Sequence, residues 1–265
     1  MINGSQSQQP DQGVFRWGGL AGIVGSVLLF AAFLPVALFA GGFAATPAEA
    51  ITRFPDVRTA QTVEEILYLG ALALWAVHFL ALYRALRATS PAPALFGSGL
   101  GIMGLILLAA GALPQVATAP IADLYHAPGA TPADQATLLL LWQATWGMLD
   151  ALLVAGLLLL PIALLTLGVA MLRTPAFGKG FGWVSVTLGV AGAAAAGALL
   201  VDVSEIAAVV IFALIVFHLA LGWKVYSLSR NPAGSPENRS NGGRAEGESN
   251  STEPINAVQQ GGETP

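Results

Sequence analysis

Of the chain's 265 residues, 55% are hydrophobic and only 10% are charged, against about 25% charged in a soluble domain, so hydrocarbon rather than water is its main solvent. Half of the net charge of −4 arises in residues 229–265, where five glutamates stand against three arginines; the remainder is near neutral and offers no basic surface for nucleic acid. Cysteine is absent, which excludes disulfides, thiolate nucleophiles and iron–sulfur clusters, and the three histidines are too scattered in sequence for a zinc site.

In chain order, residues 1–16 read as a disordered cytoplasmic N-terminus. The first apolar run, Trp17–Ala40, exceeds the 7–15 residues of a signal peptide and meets the ~20 needed to cross the ~30 Å hydrocarbon layer. Gly18, Gly22 and Ser26 are spaced by four on it, a face on which helix backbones approach closely. Gly41–Val63, with its mixed-charge "RFPDVRTAQTVEE", reads as an outer loop. Thr62 and Glu65 have capping-box spacing, with Glu64 and Glu65 stabilising the positive end of the next helix. The second span is Ile66–Leu86 and the third is Leu95–Val116, the latter striped by Gly97, Gly101, Gly104 and Gly111.

The Pro/Ala-rich Ala117–Gln135 reads as a second outer loop, with Thr131, Pro132 and Asp134 marking a helix start. The pattern from there to Arg173 is helix-compatible for twice the hydrocarbon thickness. Pro132–Met148 is therefore expected to form an extra interfacial helical segment before the fourth span, Leu149–Leu172. Trp142, Trp146 and Asp150 recur every four residues. The two indoles are expected at headgroup level, unless this face is the lip of a binding site that includes Asp150. The fifth span is Phe181–Val201, with Ser185, Gly189, Ala193 and Gly197 on one face. Asp202 and Glu205 precede the sixth, Ile206–Tyr226. Residues 229–265 are rich in Gly, Ser, Asn, Glu and Pro and read as a disordered cytoplasmic tail. The whole reads as an all-α polytopic membrane bundle of six transmembrane helices, its domain spanning 17–228.

Direction follows from basic residues in the short loops. With a cytoplasmic N-terminus, nine of them (Arg16, Arg84, Arg87, Arg173, Lys179, Lys224, Arg230, Arg239 and Arg244) lie inside and two (Arg53 and Arg58) outside. Both termini are then cytoplasmic, in a bacterial inner membrane. The small-residue faces serve packing within the bundle or association with a second copy or another membrane protein.

Two spans share a pattern. His78 precedes Tyr83 by five residues and Arg84 by six; His218 precedes Trp223 by five and Lys224 by six. With Trp17, Tyr83, Arg84, Trp223 and Lys224 as interface anchors, both imidazoles sit ~9 Å deeper, at matching depth. Ionisable groups inside a membrane are functional candidates. Either each histidine is neutral and bonds a neighbouring helix, or the two line a small-ligand pocket, or they are axial ligands of a haem b, the protein's only candidate cofactor and metal centre. No phosphate loop, nucleophile–base pair or HExxH motif is present, so the chain reads as a non-enzyme: an accessory or ligand-binding membrane component, with a haem electron carrier and a small transporter or permease subunit as alternatives.

The stretches "RWGGLAGIVGSVLLF", "LYRALR" and "RTPAFGKGFGWVSVTLGVAG" resemble those of small bacterial six-pass integral membrane proteins of unknown function. The resemblance covers the membrane portion and implies no catalytic residue and no ligand.

Overall fold

The computed structural model describes residues 9–39, 46–199 and 206–230. They form six helices: α1 (Gln9–Phe39), α2 (Pro47–Leu86), α3 (Pro91–Tyr125), α4 (Pro132–Leu172), α5 (Gly178–Ala198) and α6 (Ile206–Arg230), with no strand among the described residues. All six are long and apolar enough to cross a membrane, where a helix satisfies its backbone polar groups internally. The expected Asp202–Glu205 helix start lies outside the described residues, as do residues 1–8 and the expected disordered tail beyond Arg230; Ser229 and Arg230, expected to begin that tail, end α6. Gln9–Arg16, expected to be unstructured, is the first part of α1.

Each of the first five helices packs on the one that follows it, α6 returns to pack along α1, and α2 also touches α4 and α6. Neighbours run antiparallel: Gly18 meets Ala81 while Gly25 meets Trp75, and Gly97 meets Leu167 while Gly111 meets Leu152. The small-residue stripes are occupied by these crossings. A Cβ on Gly97 would come within 2.6 Å of Leu167, one on Gly101 within 2.5 Å of Phe79, and one on Gly189 within 2.6 Å of the Leu165 backbone. Beside Gly189, the Ser185 hydroxyl donates to the Leu164 carbonyl at 2.7 Å.

The expected outer loops are largely helix. α2, α3 and α4 have 40, 35 and 41 residues, or roughly 60, 53 and 62 Å at 1.5 Å per residue, well beyond ~30 Å of hydrocarbon. α2 starts at Pro47, where Thr46 accepts from the Glu49 amide. Thr62, expected to cap the helix, lies inside it and bonds the Arg58 carbonyl. The Pro132–Met148 segment is helical as expected, but it runs unbroken into the fourth span. Its start is the capping box read from the sequence, with Thr131 and Asp134 bonding reciprocally.

Pro55, which made Gly41–Val63 read as a loop, stands within α2. Proline has no N–H, so the carbonyl four residues earlier loses its donor. That carbonyl is Ile51's, and it receives the His126 Nε2–H from the α3–α4 turn at 3.0 Å. One histidine thus fills the vacancy left by the proline and ties the turn to α2. Arg58 and Asp123 add an exposed ion pair at 3.0 Å between α2 and α3.

The three projecting helix ends build a separate small core from Ile51, Phe54, Ile121, Ala122 and Trp142. Trp142 is 1% exposed and meets the Phe54 ring edge-on at 5.5 Å. It is a core residue of this headpiece rather than a membrane-surface anchor; Phe54 and Ile121 cover the face that was expected to meet headgroups. Trp146, half-buried, packs beside it.

Charge separates along the bundle. Among the described residues one end carries Arg16, Arg84, Arg87, Arg173, Lys179, Lys224 and Arg230. The headpiece end carries Glu49, Asp56, Glu64, Glu65, Asp123, Asp134 and Asp150, with Arg53 and Arg58.

Candidate functional site

α1 is the element that brings the two membrane histidines together. Gly18 and Gly22 let it approach α2, and Gly19 and Gly22 let it approach α6. A Cβ on Gly18 would collide with Ala81, one on Gly19 would lie 2.5 Å from the Tyr226 amide, and one on Gly22 would lie 2.7 Å from His78 Nδ1 and 3.0 Å from Gly222 Cα. With both neighbours drawn onto one helix, His78 of α2 and His218 of α6 meet edge to face, their ring centroids 5.7 Å apart. Both are fully buried.

The hydrogen bonds fix one tautomer. His78 Nδ1 lies 2.8 Å from the Gly18 carbonyl; a carbonyl only accepts, so Nδ1 carries the proton and Nε2 keeps its lone pair. That Nε2 has no partner, nor has either nitrogen of His218. Buried polar atoms are nearly always bonded, and an orphan costs on the order of 1–3 kcal/mol. Three of them lie in this one contact pair.

Aromatic rings surround His218. Trp75 stacks on it at 4.2 Å, Phe79 meets it edge-on at 5.3 Å, and Phe217 lies 5.9 Å away. Trp75 is held in turn by its Nε1–H, which donates to Ser26 Oγ at 3.3 Å, while Ser26 donates to the Gly22 carbonyl at 2.8 Å. Residues 75, 78, 79 and 82 share one face of a helix, so Trp75 and Phe79 were legible as His78's companions; that they also enclose His218 was not.

A donor bond from one ring nitrogen to a backbone carbonyl, with the other nitrogen left open, is the arrangement that orients metal-ligating histidines. Among the described residues no group of three or more His, Cys, Asp or Glu side chains converges, so any ion or molecule held here brings its remaining donors with it. A haem between the imidazoles would have to part α2 from α6 and displace the Trp75 and Phe79 rings, which now lie against His218. The described packing does not fit a macrocycle in that position.

Asp150 does not join the pair. It is half-buried on α4, near the level where Leu149 and Leu152 face Gly111 and Tyr68 reaches the Leu108 carbonyl. That level is ten residues along α2 from His78, about 15 Å. At the basic end, Trp17 and Trp223 are 71% and 64% exposed, while Tyr83, Arg84 and Lys224 are half-buried. Trp183, from the stretch that leads into the fifth span, is also exposed there.

The fold and its buried site define the class: a polytopic α-helical integral membrane protein. Comparison with protein-family models, with curated proteins and with solved structures finds no match to this chain.

Proposed function

We propose that the protein is a non-enzymatic component of a bacterial inner membrane, one of a group of six-pass proteins, that holds a small ligand through the neutral nitrogens of His78 and His218. The observation that carries this reading is the contact between two fully buried imidazoles with three unpartnered nitrogens. Neutral imidazole is both a hydrogen-bonding group and the commonest metal ligand, and Trp75, 4.2 Å from His218, reports on occupancy. With the purified full-length protein, Co2+ is expected to quench tryptophan emission saturably. The quench disappears in His218→Gln and His78→Gln and persists in His126→Gln. Equal quenching in all three variants would remove the pair from consideration. A Soret band in protein purified from iron-replete cells, lost with either membrane histidine, would instead establish haem as the ligand.

The basic end is assigned to the cytoplasm, with both termini there, on the excess of lysine and arginine in its short connections. Reporter fusions within Arg173–Lys179 are expected to show cytoplasmic activity, and periplasmic activity would reverse the assignment. A second copy or membrane partner would dock away from the Gly18, Gly101 and Gly189 faces, which are filled within the bundle.

A further inference from the structure

The basic end holds a second feature, separate from the histidine pair. The α2–α3 turn and the α4–α5 turn are fastened together by a hydrogen bond between the Thr89 and Thr174 hydroxyls. Thr174 is anchored in addition to the Ala170 carbonyl at 2.9 Å. This clasp joins the turn that carries Arg87, two residues before Thr89, to the turn that carries Arg173, adjacent to Thr174, and Lys179 is the second residue of the helix that follows. All three cations are exposed, and neither turn contains a carboxylate.

α5 begins at Gly178, at φ +74, with no side-chain cap on its first turn. The Phe177 and Gly178 amides bond the Thr174 and Pro175 carbonyls, which leaves the Lys179 and Gly180 amides without an intrahelical partner at the positive end of the helix dipole. Ser90, the residue before α3, is 2% exposed and its hydroxyl has no partner. The reason is local: a capping hydroxyl normally accepts from the third helical amide, and that position is Pro93, which has none. Exposed Trp183, in the second turn of α5, sets this corner at the depth where indoles meet headgroups.

We infer that the clasped turns form a binding site for the phosphodiester of an anionic phospholipid headgroup, held by Arg87, Arg173 and Lys179 over the first turn of α5. Depth and charge favour a lipid over a free anion. The shared chemistry is a phosphate oxygen accepting charge-assisted hydrogen bonds, and each basic residue that reaches the bound headgroup adds about fivefold to its affinity.

Native mass spectrometry of the full-length protein, given equimolar phosphatidylglycerol and phosphatidylcholine, tests this. The wild type is expected to retain phosphatidylglycerol preferentially, by at least about fivefold. Lys179→Gln reduces the preference about fivefold or removes it, and Arg87→Gln/Arg173→Gln/Lys179→Gln brings it to parity. Arg16→Gln/Lys224→Gln, at the same end but outside the clasp, leaves it intact. Parity in the wild type, or an undiminished preference in Lys179→Gln, would overturn the assignment. So would displacement of the lipid by millimolar inorganic phosphate, which would mark a free-anion site. Because Lys179 is exposed, its single variant decides the matter even where the triple variant folds poorly.

Discussion

Trp142→Ala is expected to loosen the headpiece while the transmembrane bundle stays folded. The indole is buried against Phe54 and lies in a core cluster distinct from that of the bundle. Truncating a large buried aromatic costs about 3–5 kcal/mol, and so small a cluster has little else to hold its three helix ends. Hydrogen exchange should rise by two or more orders of magnitude in Pro47–Val63 and Pro132–Met148, with protection unchanged around Trp75 and Leu164. Trp146→Ala, removing a half-buried ring, should have the smaller effect. Protection unchanged in Trp142→Ala would mean that the headpiece is held by something other than this core.

The second large effect is predicted at Gly22. Two substitutions of the same kind should move stability in opposite directions. At Gly22 an added methyl group meets His78 at 2.7 Å and the Gly222 backbone at 3.0 Å, whereas at Gly99 nothing lies within 4 Å. Gly99→Ala should gain up to about 1 kcal/mol from helix propensity. Gly22→Ala should lose about 1–3 kcal/mol or more through overpacking, a fall of several degrees in the thermal midpoint. It should also weaken the Co2+ quench, because the ring that must move is His78. A Gly22→Ala protein as stable as the wild type would show that α1 does not clamp α2 and α6 as described.

The six spans were legible because uninterrupted apolar runs of sufficient length have one structural solution in hydrocarbon. Their extensions were not. Pro55 and Pro120 are ordinary loop signals in a single sequence, and what overrides one of them is a histidine 71 positions from Pro55 that bonds the carbonyl the proline leaves open. Trp142 misled for a related reason: tryptophan near a span's end is usually an anchor, and only the tertiary arrangement shows that Phe54 covers it. The histidines were recognised as a matched pair by depth. Whether they meet depends on which helices α1 brings together, and the Gly18–Gly22–Ser26 stripe announced a close approach without naming its partners.

One consequence of the long second helix concerns continuity. Phe54 in the headpiece and His78 in the bundle belong to the same helix, which continues through Pro55. Along that helix the two residues are separated by 24 positions, some 36 Å at 1.5 Å per residue. One continuous backbone thus joins the small core around Trp142 to the histidine pair, so the two ends of the molecule share a structural element.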